Sequence, residues 1–207
     1  MGAKKPLILQ VRQGNPERSV AISRAVEALL DGFLVIMPTD TVYGVAAHAR
    51  LPGAVEKIFQ AKSRERGKPI PLLAAGFDQV EKYGVEFDAV ERKLAKKFWP
   101  GPLTLLLKTG NVTEGFRVPD DEVALELLNA AGGILRVTSA NVSGEPPALT
   151  ADEAINALGD CVDVVLDAGR VPGGIPSTVA KVQDGRVVVL REGAISEADL
   201  NGVNREP

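Results

Sequence analysis

An apolar, β-branched run, Phe33-Leu34-Val35-Ile36-Met37, breaks into Pro38-Thr39-Asp40-Thr41-Val42-Tyr43-Gly44. Such a run reads as a strand delivering a polar loop. Similar runs recur at Leu7 to Val11, Val45 to Ala47, Ile70 to Ala75, Leu103 to Leu107, Phe116 to Val118, Ile134 to Thr138 and Val162 to Leu166. Helical patterns lie between them. Asn15-Pro16 opens the first, with Pro at its first position, an apolar face of Val20, Ala21, Ala25, Ala28 and Leu29, and Gly32 as its stop. Pro52 starts a second, with Val55, Ile58 and Phe59 on one face and its end near Lys62. Asp88 begins a third with Val90, Leu94 and Phe98, Asp120 to Ala131 forms a fourth, and Thr150 with Glu153 makes a capping box for a fifth. Gly185 marks a hairpin between Thr178 to Val182 and Val187 to Leu190. Strands interleaved with helices, plus a hairpin, predict one α/β domain over residues 1–207 on a mixed sheet.

Composition removes several classes of function. A formal net charge of −3 argues against a protein that coats nucleic acid or anionic membrane by bulk charge, although a local basic site is compatible with it. One cysteine, Cys161, permits neither an internal disulfide framework nor a cysteine-rich zinc site, and it reads as a small buried hydrophobe. The single histidine, His48, rules out a site built on several histidines and reads as structural. Neither Gly-x-x-x-x-Gly-Lys-Ser/Thr nor Gly-x-Gly-x-x-Gly occurs, so any nucleotide site uses another design. With 4% aromatic residues there is no stacking platform for single-stranded nucleic acid. No apolar run reaches membrane-spanning length and the start lacks an apolar signal core, so the expected location is cytoplasmic, with no membrane contact.

Small polar groups gather where the predicted strands end. The loop Pro38 to Gly44 carries two hydroxyls and a carboxylate; Ser139-Ala140-Asn141-Val142-Ser143-Gly144 and Gly173-Gly174-Ile175-Pro176-Ser177-Thr178 repeat the arrangement. Each alone is equally a turn or helix cap, since Thr, Ser, Asp and Asn bond local backbone readily. Lys62-Ser63-Arg64-Glu65-Arg66-Gly67-Lys68-Pro69 places four cations between a helix end and a strand, where they suit phosphate oxygens or simply a helix C-terminus. Arg117 and Arg191 end two further strands. Asp40 either meets ligand or shapes its turn. Gly169, Gly173 and Gly174 make their loop a candidate lid, stiffened by Pro172.

Taken in order, Pro38 to Gly44, Lys62-Ser63-Arg64, Phe98-Trp99-Pro100-Gly101-Pro102-Leu103-Thr104, Thr138 to Gly144, and Ser177-Thr178-Val179 with Arg191 resemble the YrdC family, from about residue 16 to about 195. The resemblance implies a twisted mixed α/β sheet flanked by helices, with a concave, positively charged cavity. It implies a threonylcarbamoyl-AMP synthase, a nucleotidyltransferase that converts L-threonine, bicarbonate and ATP to threonylcarbamoyl-adenylate and pyrophosphate, with Mg²⁺ accompanying ATP. A downstream transferase complex then modifies tRNA. Carried over residue by residue, Lys62 and Arg64 are catalytic, and Thr41, Arg117, Ser139 and Ser177 bind threonine. Arg64, Lys68, Thr113, Asn141, Thr150 and Arg191 bind ATP. No residue is implied to hold a metal. Longer members have a histidine where Leu73 aligns, and a further C-terminal domain.

Two other readings compete. Related carbamoyltransferases need cysteine-rich zinc motifs that this chain lacks. A module binding tRNA or double-stranded RNA without turnover would rely on shape and local phosphate contacts, which an acidic net charge weakens without removing.

Overall fold

The computed structural model describes residues 5–203. Ten strands form one sheet: β1 (Leu7–Gln10), β2 (Val35–Met37), β3 (Gly44–His48), β4 (Leu72–Ala74), β5 (Leu103–Thr109), β6 (Val112–Arg117), β7 (Ile134–Ser139), β8 (Val164–Asp167), β9 (Thr178–Gln183) and β10 (Arg186–Arg191). Their order across the sheet is β1-β8-β2-β3-β7-β4-β6-β5-β9-β10. The sheet is mixed. β8 runs parallel to both β1 and β2, and β4–β6 and β5–β9 are also parallel. The pairs β2–β3, β3–β7, β4–β7, β5–β6 and β9–β10 are antiparallel. The helices are α1 (Arg18–Leu30), α2 (Pro52–Ala61), α3 (Phe77–Lys82), α4 (Ala89–Phe98), α5 (Glu122–Ala130), α6 (Ala151–Leu158) and α7 (Glu197–Gly202).

Helices cover the two faces unequally, and this creates the cavity. In the first half of the sheet, Ala21, Ala25 and Leu29 of α1 and Leu127 and Leu128 of α5 pack on one face. Ile58 of α2 and Ala154 and Leu158 of α6 pack on the other. In the second half, alternate residues Leu103, Leu105 and Leu107 of β5 join Phe116 of β6 in a core with Leu94 of α4. Side chains alternate across a pleat, so the intervening Thr104, Leu106, Gly115 and Arg117 point the other way. Among the described residues no helix lies against them; they line a cavity of about 310 Å³.

Several boundaries differ from the sequence reading. Pro16 lies in the turn before α1, where Asn15 Oδ1 accepts from the Glu17 amide at 3.0 Å, and the helix begins at Arg18. Val20 is 59% exposed, and Ile22 takes the buried position assigned to it. Of residues 116–118, the first two are the end of the longer β6, which forms a hairpin with β5, and Val118 lies just beyond it; α3 was not anticipated. Thr150 does cap α6, but Glu153 reaches the Leu149 amide rather than that of Thr150. Cys161 is exposed, because it ends a short 3-10 turn before the buried Val162.

Tyr43 fastens the loop after β2 to the segment after β8. Its ring is fully buried, its hydroxyl donates to Gly169 O at 2.7 Å and accepts from the Ala168 amide at 3.1 Å, and burial pushes its pKa up to about 12. Gly173 closes the same contact: a β-carbon there would meet Thr41 O at 2.3 Å, so only glycine permits this approach. Tyr43→Phe removes both hydroxyl bonds without changing the packed volume. It should lower unfolding free energy by about 1–3 kcal/mol in urea titrations; a loss under about 0.5 kcal/mol would show that the latch is already satisfied by other contacts.

Candidate active site

The cavity is built around the loop joining β2 to β3. Thr39 folds that loop on itself: its hydroxyl donates to Val42 O at 2.7 Å and accepts from the amides of Thr41 and Val42, both at 3.2 Å. This is the local backbone bonding expected of threonine in a turn, here used to aim its neighbour. Thr41 Oγ1 lies 3.1 Å from Thr39 Oγ1 and accepts from Arg117 Nη1 at 2.9 Å. Because the Thr39 proton is committed to Val42 O, the Thr41 hydroxyl is left to donate to Thr39 or to a ligand. Thr41 is 3% exposed and Arg117 6%.

Arg117, at the end of β6, is held on three sides. Besides Thr41, its Nε donates to Gly101 O at 3.0 Å and its Nη2 donates to Asp40 Oδ1. Gly101 follows the cis Trp99–Pro100 peptide, and its own amide donates to Val118 O at 2.8 Å. Burial lowers the Arg117 pKa while the Asp40 carboxylate raises it, and the guanidinium remains charged. Asp40 therefore shapes and neutralises the site through Arg117.

The cavity lining also carries Arg64 and Arg191, and the Arg191 charge reaches Arg117. Arg64 Nε donates to Lys68 O at 2.8 Å and its Nη2 to Pro69 O at 3.1 Å. Arg191 Nη2 donates to Ser177 O at 2.8 Å and Ser177 Oγ at 3.3 Å, and that hydroxyl lies 2.9 Å from Thr104 Oγ1. Both arginines have lowered pKa values, Arg64 through burial and then the nearby Arg191 charge, Arg191 through partial burial. Among the described residues, neither has a carboxylate within ion-pairing distance; their partners are uncharged. Two adjacent cations held by neutral groups make a site for an anion.

Of the residues singled out from sequence, Thr41, Arg64, Arg117, Ser139, Ser177 and Arg191 come together around this one cavity. The others stand outside its lining. Lys62 is 1% exposed and points under the loop after β7, donating to the carbonyls of Ser139 and Asn141 and lying 3.4 Å from Asn141 Oδ1. Burial, reinforced by the Arg64 charge, pulls its amine down to about 8. Asn141 donates to Val142 O at 2.9 Å and Glu145 O at 2.7 Å, which fixes the same loop. Lys68 is exposed and paired with Glu65 at 3.0 Å. Thr150 accepts from the Glu153 amide at 3.2 Å as the α6 cap. Thr113 is exposed, on the same face of β6 as Gly115 and Arg117 but farther from the cavity. Thr104 and Pro176 also line the cavity and were not singled out. Thr104 had a signal, the one polar residue within the apolar run Leu103 to Leu107, on the face opposite Leu103 and Leu105.

His48 lines a smaller cavity of about 160 Å³ with Arg50 and Lys82, at the far end of β3. Its Nδ1 accepts from the Arg50 amide at 3.3 Å. No helix among the described residues is long and apolar enough to cross a membrane.

Comparison with known proteins agrees with this architecture. The Sua5/YciO/YrdC family model, described as "Telomere recombination", matches residues 27–193. A threonylcarbamoyl-AMP synthase of Chromohalobacter salexigens is 32% identical over 182 residues, covering 83% of this chain and 98% of that protein. Pyrococcus abyssi threonylcarbamoyl-AMP synthase is 33% identical over 207 residues, and the chain spans 60% of its length. The crystal structure of P. abyssi Sua5 complexed with L-threonine superposes with a TM-score of 0.88 over 95% of this chain and 60% of that one. Escherichia coli YciO superposes with a TM-score of 0.83 at 27% identity, covering 94% of this chain and 99% of that one. With its motifs in order, its mixed sheet and its single polar cavity wall, the chain belongs to the Sua5/YciO/YrdC family.

Proposed function

We propose that this protein is a threonylcarbamoyl-AMP synthase, converting L-threonine, bicarbonate and ATP to threonylcarbamoyl-adenylate, pyrophosphate and water. The observation that carries the reading is that one cavity is lined by two kinds of cation, Arg64 and Arg191 with uncharged partners and Arg117 paired with Asp40. Arg64 and Arg191, with only uncharged partners, suit a triphosphate. Arg117, Thr41, Ser139 and Ser177 offer a cation and hydroxyls to an amino acid with a carboxylate and a side-chain hydroxyl. Relatives bearing the name threonylcarbamoyl-AMP synthase, and a neighbour bound to L-threonine, support it.

In this reading the chain works by positioning and electrostatics. The threonine amine adds to bicarbonate or CO₂, and an oxygen of the resulting carbamate attacks the α-phosphorus of ATP as pyrophosphate leaves. Arginines aimed at phosphoryl oxygens stabilise charge that develops there, and a fixed threonine keeps the two reactants at attacking distance. Lys62 acts on the cavity wall, since its ammonium gathers the carbonyls of Ser139 and Asn141. Mg²⁺ enters as an ion carried by the triphosphate: the cavity lining holds no carboxylate, and Asp40 is committed to Arg117. The adenylate passes to a transferase complex that modifies adenosine in tRNA, in the cytoplasm.

Three outcomes test the proposal. ATP, L-threonine and bicarbonate incubated with the purified protein should yield pyrophosphate and a threonylcarbamoyl-adenylate identified by mass; RNA binding without that product would favour a binding module instead. Arg64→Ala removes a charged phosphate contact and should lower kcat/KM by the equivalent of roughly 1.5–3 kcal/mol, while Arg64→Lys retains part of the activity. Unchanged pyrophosphate release in a folded Arg64→Ala variant would sink that assignment. Thr41→Val keeps the volume and deletes the hydroxyl, so the threonine KM should rise by about tenfold or more with the ATP KM within about twofold. Equal effects on both substrates would reduce Thr41 to a structural part of the loop.

A further inference from the structure

The cations of the cavity are not equivalent. Arg64 and Arg191 bond only to uncharged groups, whereas Arg117 faces the Asp40 carboxylate, the two side chains being 7% and 12% exposed. Asp40 lies outside the cavity lining and reaches the guanidinium from the loop side. A second carboxylate, Asp121, stands close enough for the Asp40 charge to raise its pKa, though burial is the larger cause, and it is committed to the Ala124 amide at 2.8 Å as the cap of α5. Arginine cannot discharge by losing a proton, so the charge at this end is cancelled by a fixed anion or not at all. The ion pair also leaves Arg117 with donors to spare: bonds to Gly101 O, Thr41 Oγ1 and Asp40 use three of them, and a guanidinium has about five.

We propose that Asp40 is a positioning and specificity-determining residue: by orienting and neutralising Arg117, it makes one end of the cavity accept a zwitterionic amino acid and refuse a phosphate chain. The inference rests on the synthase reading and deepens it. Without Asp40, Arg117 would join Arg64 and Arg191 as a cavity arginine with no ion-paired carboxylate, and a polyanion would have less reason to keep to Arg64 and Arg191. With it, Arg117 alone of the three carries a paired anion. An asparagine would preserve the shape and one hydrogen bond but not the charge, and this separates a positioning role from an electrostatic one.

The test is steady-state kinetics with inorganic pyrophosphate as inhibitor, product being followed by chromatography. In the native protein, pyrophosphate should compete with ATP and not with threonine. In Asp40→Asn it should compete with threonine as well, the threonine KM rising about tenfold or more and the ATP KM staying within about twofold. A folded Asp40→Asn variant with the native inhibition pattern, or with equal rises in both KM values, would overturn the inference. Should that variant fail to fold, Asp40→Glu decides. A raised threonine KM with pyrophosphate still excluded from the threonine end supports the role. An unchanged threonine KM, or competition between pyrophosphate and threonine, refutes it. Absence of threonine-dependent turnover in the native protein would defeat the synthase reading itself, so the two failures are distinct.

Discussion

A guanidinium removed from water must have its donors matched, and Arg117 imposes that demand on three separate segments. The loop after β2 supplies Asp40 and Thr41, and the turn before β5 supplies Gly101 O. β6 supplies the arginine itself. Stripping one partner from a buried ion pair typically costs about 3–5 kcal/mol, so none of the three segments can drift without leaving a charge unmatched. The cavity wall inherits its geometry from this arrangement. Thr41 then passes the constraint on, because its carbonyl accepts from the Gly174 amide at 2.7 Å and Gly173 packs against its backbone.

Three residues further along the chain from Gly174, Ser177 bonds both Thr104 and Arg191, so residues proposed for threonine and for phosphate share one hydrogen-bonded group. The loop after β7 is held by Lys62 from the end of α2 and tied to the loop after β2 by the Ala140 amide on Tyr43 O at 2.8 Å. Two anchored loops facing one uncovered stretch of sheet fit a reaction whose main requirement is that two substrates meet in a fixed orientation. The segment latched by the Tyr43 hydroxyl and by Gly173 stands outside the cavity lining, which takes up the chain again at Pro176.

Elements were legible where local chemistry decided them. The Asp88 start of α4, the Pro52 start of α2 and the Gly185 hairpin all follow from short-range rules and are found as read. Errors fall where packing decided instead. Val20 and Ile22 are both apolar on the same helix, and the packing of α1 against the sheet and α5 determines which is buried. The first half of β6, Val112 to Glu114, has no apolar alternation to mark it and is ordered by its pairing with β5. Exposed Cys161 shows the same limit, since a 3-10 turn placed it at the surface.

By itself the sequence determined the class of fold and the strand-end loops, because alternation is a local property of the chain, while the family resemblance supplied eleven candidate site residues, of which six meet around the cavity. It could not separate the roles of similar side chains. Lys62, Arg64, Lys68, Arg117 and Arg191 are all cations near strand or helix ends. The fold buried Lys62 against carbonyls, left Lys68 on the surface, and turned Arg64 and Arg191 toward the cavity. It paired Arg117 with Asp40. A charge acquires its function from what surrounds it at a few ångströms, and those neighbours come from parts of the chain as far apart as 40 and 117.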